Sequence, residues 1–410
     1  MNNTAIESLV IQPYLNSVGM ICTLGDNKHQ VLNNLLNTIT SSPALSDKYS
    51  TGKHVPIAEV NSTLPDIPAT LHHYQSRTNQ LLLAALEQIR PTVDVAIKRY
   101  GHQRVAVIIG TSTSGIAEGE VAINYHRRNH QLPVDFAYKQ QEIAATSEFI
   151  SRLLGTSGPA YAISTSCSSS SSAICSAQRL LVSGLCDAVI VGGADALCGT
   201  TIQGFSSLGA ISKTTCNPFS RNRDGIVIGE GAALFLISRE SNIEDDAIPV
   251  QLLGAGISSD AHHISAPDPS GKGAQLAMKL ALDDASLQPD QVDYINLHGT
   301  ATPQNDAMES RAVCEQFPHQ IACSSTKPLT GHCLGASGAI ELALCWLLVS
   351  DLNEQHQLPA QLWDQQADPL LPQLNFLNSS QYLEIHPSTI MSNTYSFGGN
   401  NISLIIGSGQ

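Results

Sequence analysis

Runs of β-branched and apolar residues recur along the chain: Val105 to Gly110, Ala160 to Thr165, Ala188 to Gly192, Ala232 to Ile237, Val250 to Ile257, Val292 to Leu297 and Ile402 to Ile406. Such short apolar runs predict strands in a buried sheet. Between them, apolar positions return at helical spacing over Gln80 to Ile97, Ser168 to Ser183, Gly273 to Ala285, Asp306 to Gln316 and Ala336 to Ser350. The alternation predicts α/β layering, with sheets sandwiched by helices. The most polar and least periodic connection is Arg239 to Ala247, and it divides the chain into residues 1–245 and 246–410. A second irregular stretch, Glu354 to Pro387, is rich in proline and glutamine.

Composition narrows the function. The 410 residues, 42% hydrophobic, are enough for a large core. No run of roughly eighteen apolar residues exists, and the nearest approach, Gly338 to Val349, carries Glu341, so no membrane span is expected. The start, Met-Asn-Asn-Thr, lacks the basic and apolar regions of a secretion signal, and a soluble cytoplasmic protein is the expectation. A net charge of −14 argues against a general nucleic-acid binder. The ten cysteines show no zinc-type spacing and read mostly as reduced core residues, with no metal site expected.

Cys167 stands apart from the other cysteines. It closes the strand pattern Tyr161 to Thr165 and opens a helix whose apolar positions are Ala173, Ile174, Ala177, Leu180 and Leu181. A thiol at a strand-to-helix turn is a nucleophile candidate, because the unpaired N–H groups and the positive end of the helix dipole favour thiolate. Five serines, Ser168 to Ser172, follow it. Serine is a poor helix former, so small side chains are evidently wanted near the first turn. Three further segments carry candidate chemistry: Asn296 to Pro303 with His298, Ser325 to Gly338 with Lys327 and His332, and Asn393 to Asn401 with Gly398 and Gly399. Taken singly, each has an ordinary structural reading as a turn, a cap or a satisfied histidine.

Taken together and in order, the motifs are more specific. A Cys at a helix start, His-Gly-Thr-x-Thr-Pro from His298, Lys-x-x-x-Gly-His-x-Leu-Gly-Ala-x-Gly from Lys327, and Phe-Gly-Gly-x-Asn from Phe397 resemble the elongating, Cys-His-His β-ketoacyl-acyl-carrier-protein synthases. Asn217 to Gly231 is a further match, and the resemblance runs from about Arg104 to the C-terminus. It implies a thiolase-like fold, two similar α/β halves in five layers (αβαβα), with active sites at a dimer interface. It also implies a decarboxylative condensation in which Cys167 carries the acyl chain and His298 and His332 hold the malonyl thioester carbonyl. Backbone N–H groups of Cys167 and Phe397 would form the oxyanion hole, and Lys327, paired with Glu309, would orient the site. Thr300 and Thr302 match phosphopantetheine contacts, Phe397 matches a gate, and Thr113 falls near the position that limits chain length. His262 and His263 resemble a mobile loop facing that gate. The implied partner is an acyl carrier protein, docking on Arg127, Arg128 or Arg77, with the chain in a homodimer or in a heterodimer with a chain-length-factor-like paralogue. No cofactor is implied beyond the carrier's phosphopantetheine.

Departures from the family pattern are Ser396, Asn400, Ile226, Ser220 and Asn305, where glycine, threonine, phenylalanine, aspartate and glycine are usual. With the serine-rich helix and the polar Thr113, they point to a specialised pathway such as the aryl polyene type. A thiolase would need a second reactive cysteine, for which only Cys333 offers itself, and a non-catalytic chain-length partner would lack the nucleophile.

Overall fold

The computed structural model describes residues 12–38, 43–50, 52–241, 249–379 and 381–408. The Met-Asn-Asn-Thr start and residues 242–248 of the dividing connection lie outside the described residues. Eleven strands join in one sheet. They are β1 (Tyr14–Ile21), β2 (Val105–Gly110), β3 (Ala160–Ile163), β4 (Ala188–Asp195), β5 (Gly231–Ser238), β6 (Val250–Ser259), β7 (Tyr294–Asn296), β8 (Ala322–Ser324), β9 (Asn375–Phe376), β10 (Thr389–Tyr395) and β11 (Asn400–Ser408).

The pairing reveals an internal repeat that the residues do not show. Strand β3 runs parallel to β2 and β2 parallel to β4, whereas β5 is antiparallel to both β4 and β1. In the second half β8 runs parallel to β7 and β7 parallel to β10, and β11 is antiparallel to both β10 and β6. The patterns are the same, with β9 added at the far edge. Within the sheet, and among the described residues, the halves pair through β1 and β6 at Tyr14 and Gln251.

Helices complete the layers. Helices α1 (Arg77–Tyr100) and α3 (Ala145–Leu154) pack on one outer face, forming a core with β1 to β5. Helix α2 (Ile116–Asn129) follows β2 at the surface, and α4 (Ser169–Val182) follows β3. Helices α5 (Lys272–Ala285) and α6 (Pro303–Gln316) cover the outer face of the second half. Between the halves lie α4 and α7 (Ser337–Val349), in a cluster that draws on strands of both. This is the five-layer thiolase-like arrangement. A helix enclosed on every side must be apolar nearly all round, and α7 is, save for Ser337 and Glu341, with Trp346 alone only partly buried. The stretch nearest to a membrane span is therefore the central helix of the fold. Among the described residues, no helix is long and apolar enough to cross a membrane.

One strand differs from its sequence pattern. Tyr161 to Thr165 reads as buried, yet β3 is at most half-buried because it is the terminal strand of the sheet. The serine run has a packing reason. Ser168 to Ser171 are buried, and a Cβ added to Gly110 would meet the Ser170 backbone at 2.3 Å. Helix α4 thus approaches its neighbours more closely than larger side chains allow.

Candidate active site

Parallel strands of both halves deliver the predicted chemistry to one cleft at their carboxyl ends, as α/β sheets do. Cys167 follows β3, His298 follows β7, Lys327 and His332 follow β8, and Phe397 follows β10. The repeat explains the meeting: Cys167 and His332 each precede a central helix, α4 and α7, in topologically equivalent positions. Ser166, just before the nucleophile, adopts φ 56°, a left-handed conformation unusual for a non-glycine residue.

The Sγ of Cys167 lies 3.0 Å from His332 Nε2. His332 Nδ1 lies 2.9 Å from Ser337 Oγ, and the His298 ring stands 5.5 Å from the His332 ring, edge to face. The ammonium of Lys327, 3.2 Å from His298 Nδ1, donates there, so the His298 proton resides on Nε2. Burial pushes the Cys167 thiol up to about 12, opposed by Lys327 and by the backbone N–H groups of Phe397 and of Cys167 itself. Desolvation and the Lys327 charge push both imidazoles well below their usual range, with His332 adding to the effect on His298. Desolvation thus works against ionisation of both partners, while the helix-start N–H groups and Lys327 work for the thiolate.

Glu309 and Lys327 are both buried but are not each other's ion-pair partner. Lys327 pairs with Glu341 of α7 and donates to the carbonyl of His298. The Glu309 carboxylate instead accepts the backbone N–H groups of His298 at 2.7 Å and Gly299 at 2.8 Å. Burial pushes Glu309 up to about 8, with the Gly299 N–H opposing it. Its contacts pin the turn that presents His298, in which Gly299 has φ 41° and a Cβ would strike Ser325.

Phe397 sits half-buried with its ring 5.5 Å from Phe205. Thr300, Thr302, Ile226 and Asn305 line the same cleft. Gly398 N–H donates to the Ile264 carbonyl and Asp260 N–H to the Gly399 carbonyl, which joins the turn after Phe397 to the exposed loop of His262 and His263.

Residues 18–242 match the β-ketoacyl synthase N-terminal domain and residues 250–359 its C-terminal domain. The chain belongs to the β-ketoacyl synthase family. It is 34% identical over 342 residues to a 3-oxoacyl-[acyl-carrier-protein] synthase 2 of Staphylococcus aureus (strain COL), covering 80% of each chain. Among solved structures it is similar to the ketosynthase ApeO of Xenorhabdus doucetiae, solved in complex with its chain length factor ApeC. That match has 46% identity and a TM-score of 0.91, over 97% of this chain and 98% of the other. A β-ketoacyl synthase of Burkholderia phymatum STM815 matches with 25% identity and a TM-score of 0.85, over 97% of this chain and 100% of the other. The chain is a condensing enzyme, an acyltransferase of the β-ketoacyl synthase type.

Some residues singled out in the sequence stand away from the Cys167 cleft, and others that support it carried little sequence signal. Thr113 does not line the cleft: its backbone N–H and hydroxyl both donate to Asp195, at 2.8 and 2.7 Å. Arg77 is committed to the buried Glu230, with Nε at 2.9 Å, and is not a free docking cation. Arg127 and Arg128 are exposed in the last turn of α2. Glu341 was legible only as a charge interrupting an apolar helix. Asp195 gave no sequence signal beyond its place at a strand end. It accepts Thr111 Oγ1, the N–H groups of Ser112 and Thr113, and the N–H of Gly335 in the His332 loop, so it couples the halves beside the site. Among the described residues, no group of three or more His, Cys, Asp or Glu is placed to hold a metal ion.

Proposed function

We propose that this chain is the catalytic subunit of a β-ketoacyl-acyl-carrier-protein synthase that works with a chain-length-factor-like partner. Its nucleophile lies in the half 1–245 and both histidines in the half 246–410. The carrying observation is the 3.0 Å contact of Cys167 Sγ with His332 Nε2, beside His298 and the Phe397 N–H.

In the first step the Cys167 thiol gives its proton to His332 as its sulfur attacks the acyl thioester. The tetrahedral oxyanion meets the N–H groups of Cys167 and Phe397, each such donor contributing about 3 kcal/mol. His332 passes the proton to the departing carrier thiolate. Malonyl thioester then enters, with its carbonyl oxygen held by the Nε2–H of His298 and of His332. Ser337 serves His332 in both steps, since a hydroxyl can accept from Nδ1–H or donate to bare Nδ1. Carbon dioxide leaves, the enolate carbon attacks the acyl-Cys167 carbonyl, and the Cys167 sulfur departs as a thiolate that takes one proton from solvent by way of His332, the condensation as a whole consuming that proton. The product is a β-ketoacyl chain two carbons longer. Lys327 holds His298 in its tautomer, and Glu309 holds the His298 turn. Thr300 and Thr302 hold the phosphopantetheine arm and Phe397 gates the cleft. The scheme requires no cofactor beyond the carrier's own arm.

The 46% identity with a ketosynthase solved with its chain length factor supports a heterodimer. The half-exposed edge strand β3, and the exposed apolar Val121, Val134 and Tyr138, offer surface for such a partner. The reading extends to a polyene-type pathway, in the cytoplasm, with carrier docking on Arg127 and Arg128.

The test is intact-mass spectrometry of the chain mixed with an acyl-carrier-protein thioester, with and without the candidate partner, followed by malonyl-carrier protein. Acyl transfer to wild type but not to Cys167→Ala, then extension with release of carbon dioxide, supports the reading. Failure to load in the presence of the partner sinks it.

A further inference from the structure

Tyr395 ends β10 as part of the cleft wall and takes no part in the Cys167–His332–His298 contacts. It is 4% exposed, and its ring stands 5.8 Å from the His298 ring, edge on at 75°. Its hydroxyl is enclosed and has no hydrogen-bond partner among the described residues. Buried polar groups are nearly always paired, because an unmade hydrogen bond in an apolar setting is costly. A phenylalanine would fill the same space without that cost. The hydroxyl is therefore best explained by a partner that arrives with the substrate.

The burial of the hydroxyl indicates what kind of partner it takes. Desolvation raises the phenol's pKa well above its usual range, so the hydroxyl stays protonated and is available as a donor. In so enclosed a place an ionised acceptor such as the malonyl carboxylate would incur a desolvation cost that one phenol does not offset. A neutral carbonyl oxygen is a suitable acceptor. Beyond the thioester, which the two imidazoles hold, the first neutral carbonyl on a phosphopantetheine arm is an amide two methylenes from the sulfur.

We propose that the Tyr395 hydroxyl donates a hydrogen bond to this first amide carbonyl and so positions the arm, acting on substrate binding and not on the bond-making step. The proposal rests on the condensation reading above.

The experiment compares wild type with Tyr395→Phe, in the full chain with its partner, on three extender substrates: malonyl-carrier protein, malonyl-N-acetylcysteamine, which keeps the amide, and malonyl S-ethyl thioester, which lacks it. Losing one hydrogen bond to a neutral acceptor raises KM roughly five- to tenfold. That rise is expected for the first two substrates, with kcat within about twofold and with the S-ethyl thioester unaffected. Thermal stability of the free variant should equal or exceed that of wild type, because an orphaned hydroxyl has been removed. An equal KM change on all three substrates, no change, or a loss confined to kcat overturns the proposal. A binding measurement with pantetheine alone needs no turnover: Tyr395→Phe should bind it five- to tenfold more weakly, and equal binding overturns the proposal even where the condensation proceeds. If wild type binds pantetheine as expected but extends no malonyl thioester, the condensation reading is what has failed.

Discussion

The Nε2 of His332 lies 3.0 Å from the Sγ of Cys167, although the two residues belong to opposite halves of a duplicated fold. His298 meets the His332 ring edge to face, and its ring is hydrogen-bonded to Lys327 and not to the sulfur. The two histidines should therefore fail differently. His332→Ala removes the proton acceptor from a thiol held near 12, so acyl loading slows about a hundredfold or more at neutral pH. Loading then recovers about tenfold per pH unit as the thiolate fraction rises. His298→Ala should load normally and accumulate acyl-enzyme, because the enolate has lost one of its donors. Mass spectra taken at several pH values separate the two cases, and a His332→Ala profile flat in pH would contradict the assigned roles.

Lys327 and Glu341 form an enclosed ion pair, and Lys327 also lowers the Cys167 pKa. Lys327→Met should cost about 3–5 kcal/mol, because it strands a buried carboxylate. It should also slow alkylation of Cys167 by iodoacetamide at fixed pH, since the thiol's pKa rises. Lys327→Met with Glu341→Met removes both charges and should recover most of the stability but none of the reactivity. Thermal melts beside alkylation rates test this, and joint recovery would mean that Lys327 acts through stability alone.

Asp195 accepts from donors of both halves, among them Gly335 in the loop that carries His332. Asp195→Asn turns an amide N–H toward groups that are themselves donors. The expected cost is about 2–4 kcal/mol, with a fall in kcat as the His332 loop shifts. If Asp195→Asn melts early but its folded fraction condenses at the wild-type rate, Asp195 does not position that loop.

Much of this architecture is legible in the sequence, because short apolar runs rich in β-branched residues fit buried strands: Val105 to Gly110 is β2 residue for residue. The three-residue strand Ala322–Ser324 has no longer apolar run around it and carries too short a pattern to show. Strand β1 alternates buried and half-buried positions only in its first residues, and its partners lie far along the chain. The site's reactive residues are visible because glycine turns and a helix start surround them. Their supports are not, since pairing is a property of space. Lys327 has Glu309 at eighteen positions and Glu341 at fourteen, and only the packing of α7 selects the second. Arg77 looks like any surface cation until Glu230, buried on another element, claims it.

That difference separates the arginines by experiment. Arg77→Ala leaves Glu230 buried with only the N–H groups of Val60 and Leu197, and since Arg77 is itself partly exposed the cost should be about 2–3 kcal/mol. Its KM for a carrier-protein thioester should stay unchanged. Arg127→Glu with Arg128→Glu should leave the melting temperature alone and raise that KM about tenfold at low salt. N-acetylcysteamine thioesters, which present no carrier surface, should show no change. Equal KM values for the double variant and wild type at low salt would move carrier docking elsewhere.

The serine run beside the nucleophile makes the last claim quantitative. A Cβ on Gly338 would lie 2.0 Å from Ser171 Oγ and 3.1 Å from Ser171 Cβ, where α7 crosses α4. Gly338→Ala should thus destabilise by about 1–3 kcal/mol. Ser171→Ala clears the nearer atom but gives up the 3.0 Å hydroxyl contact with Thr394, for about 1 kcal/mol alone. Combined, the two changes should cost less than their sum, with a coupling of about 1 kcal/mol measured by denaturant melts. Additive losses would mean that the helices are not held together at this crossing. In that case the serines after Cys167 would need a reason other than the close approach of the two central helices.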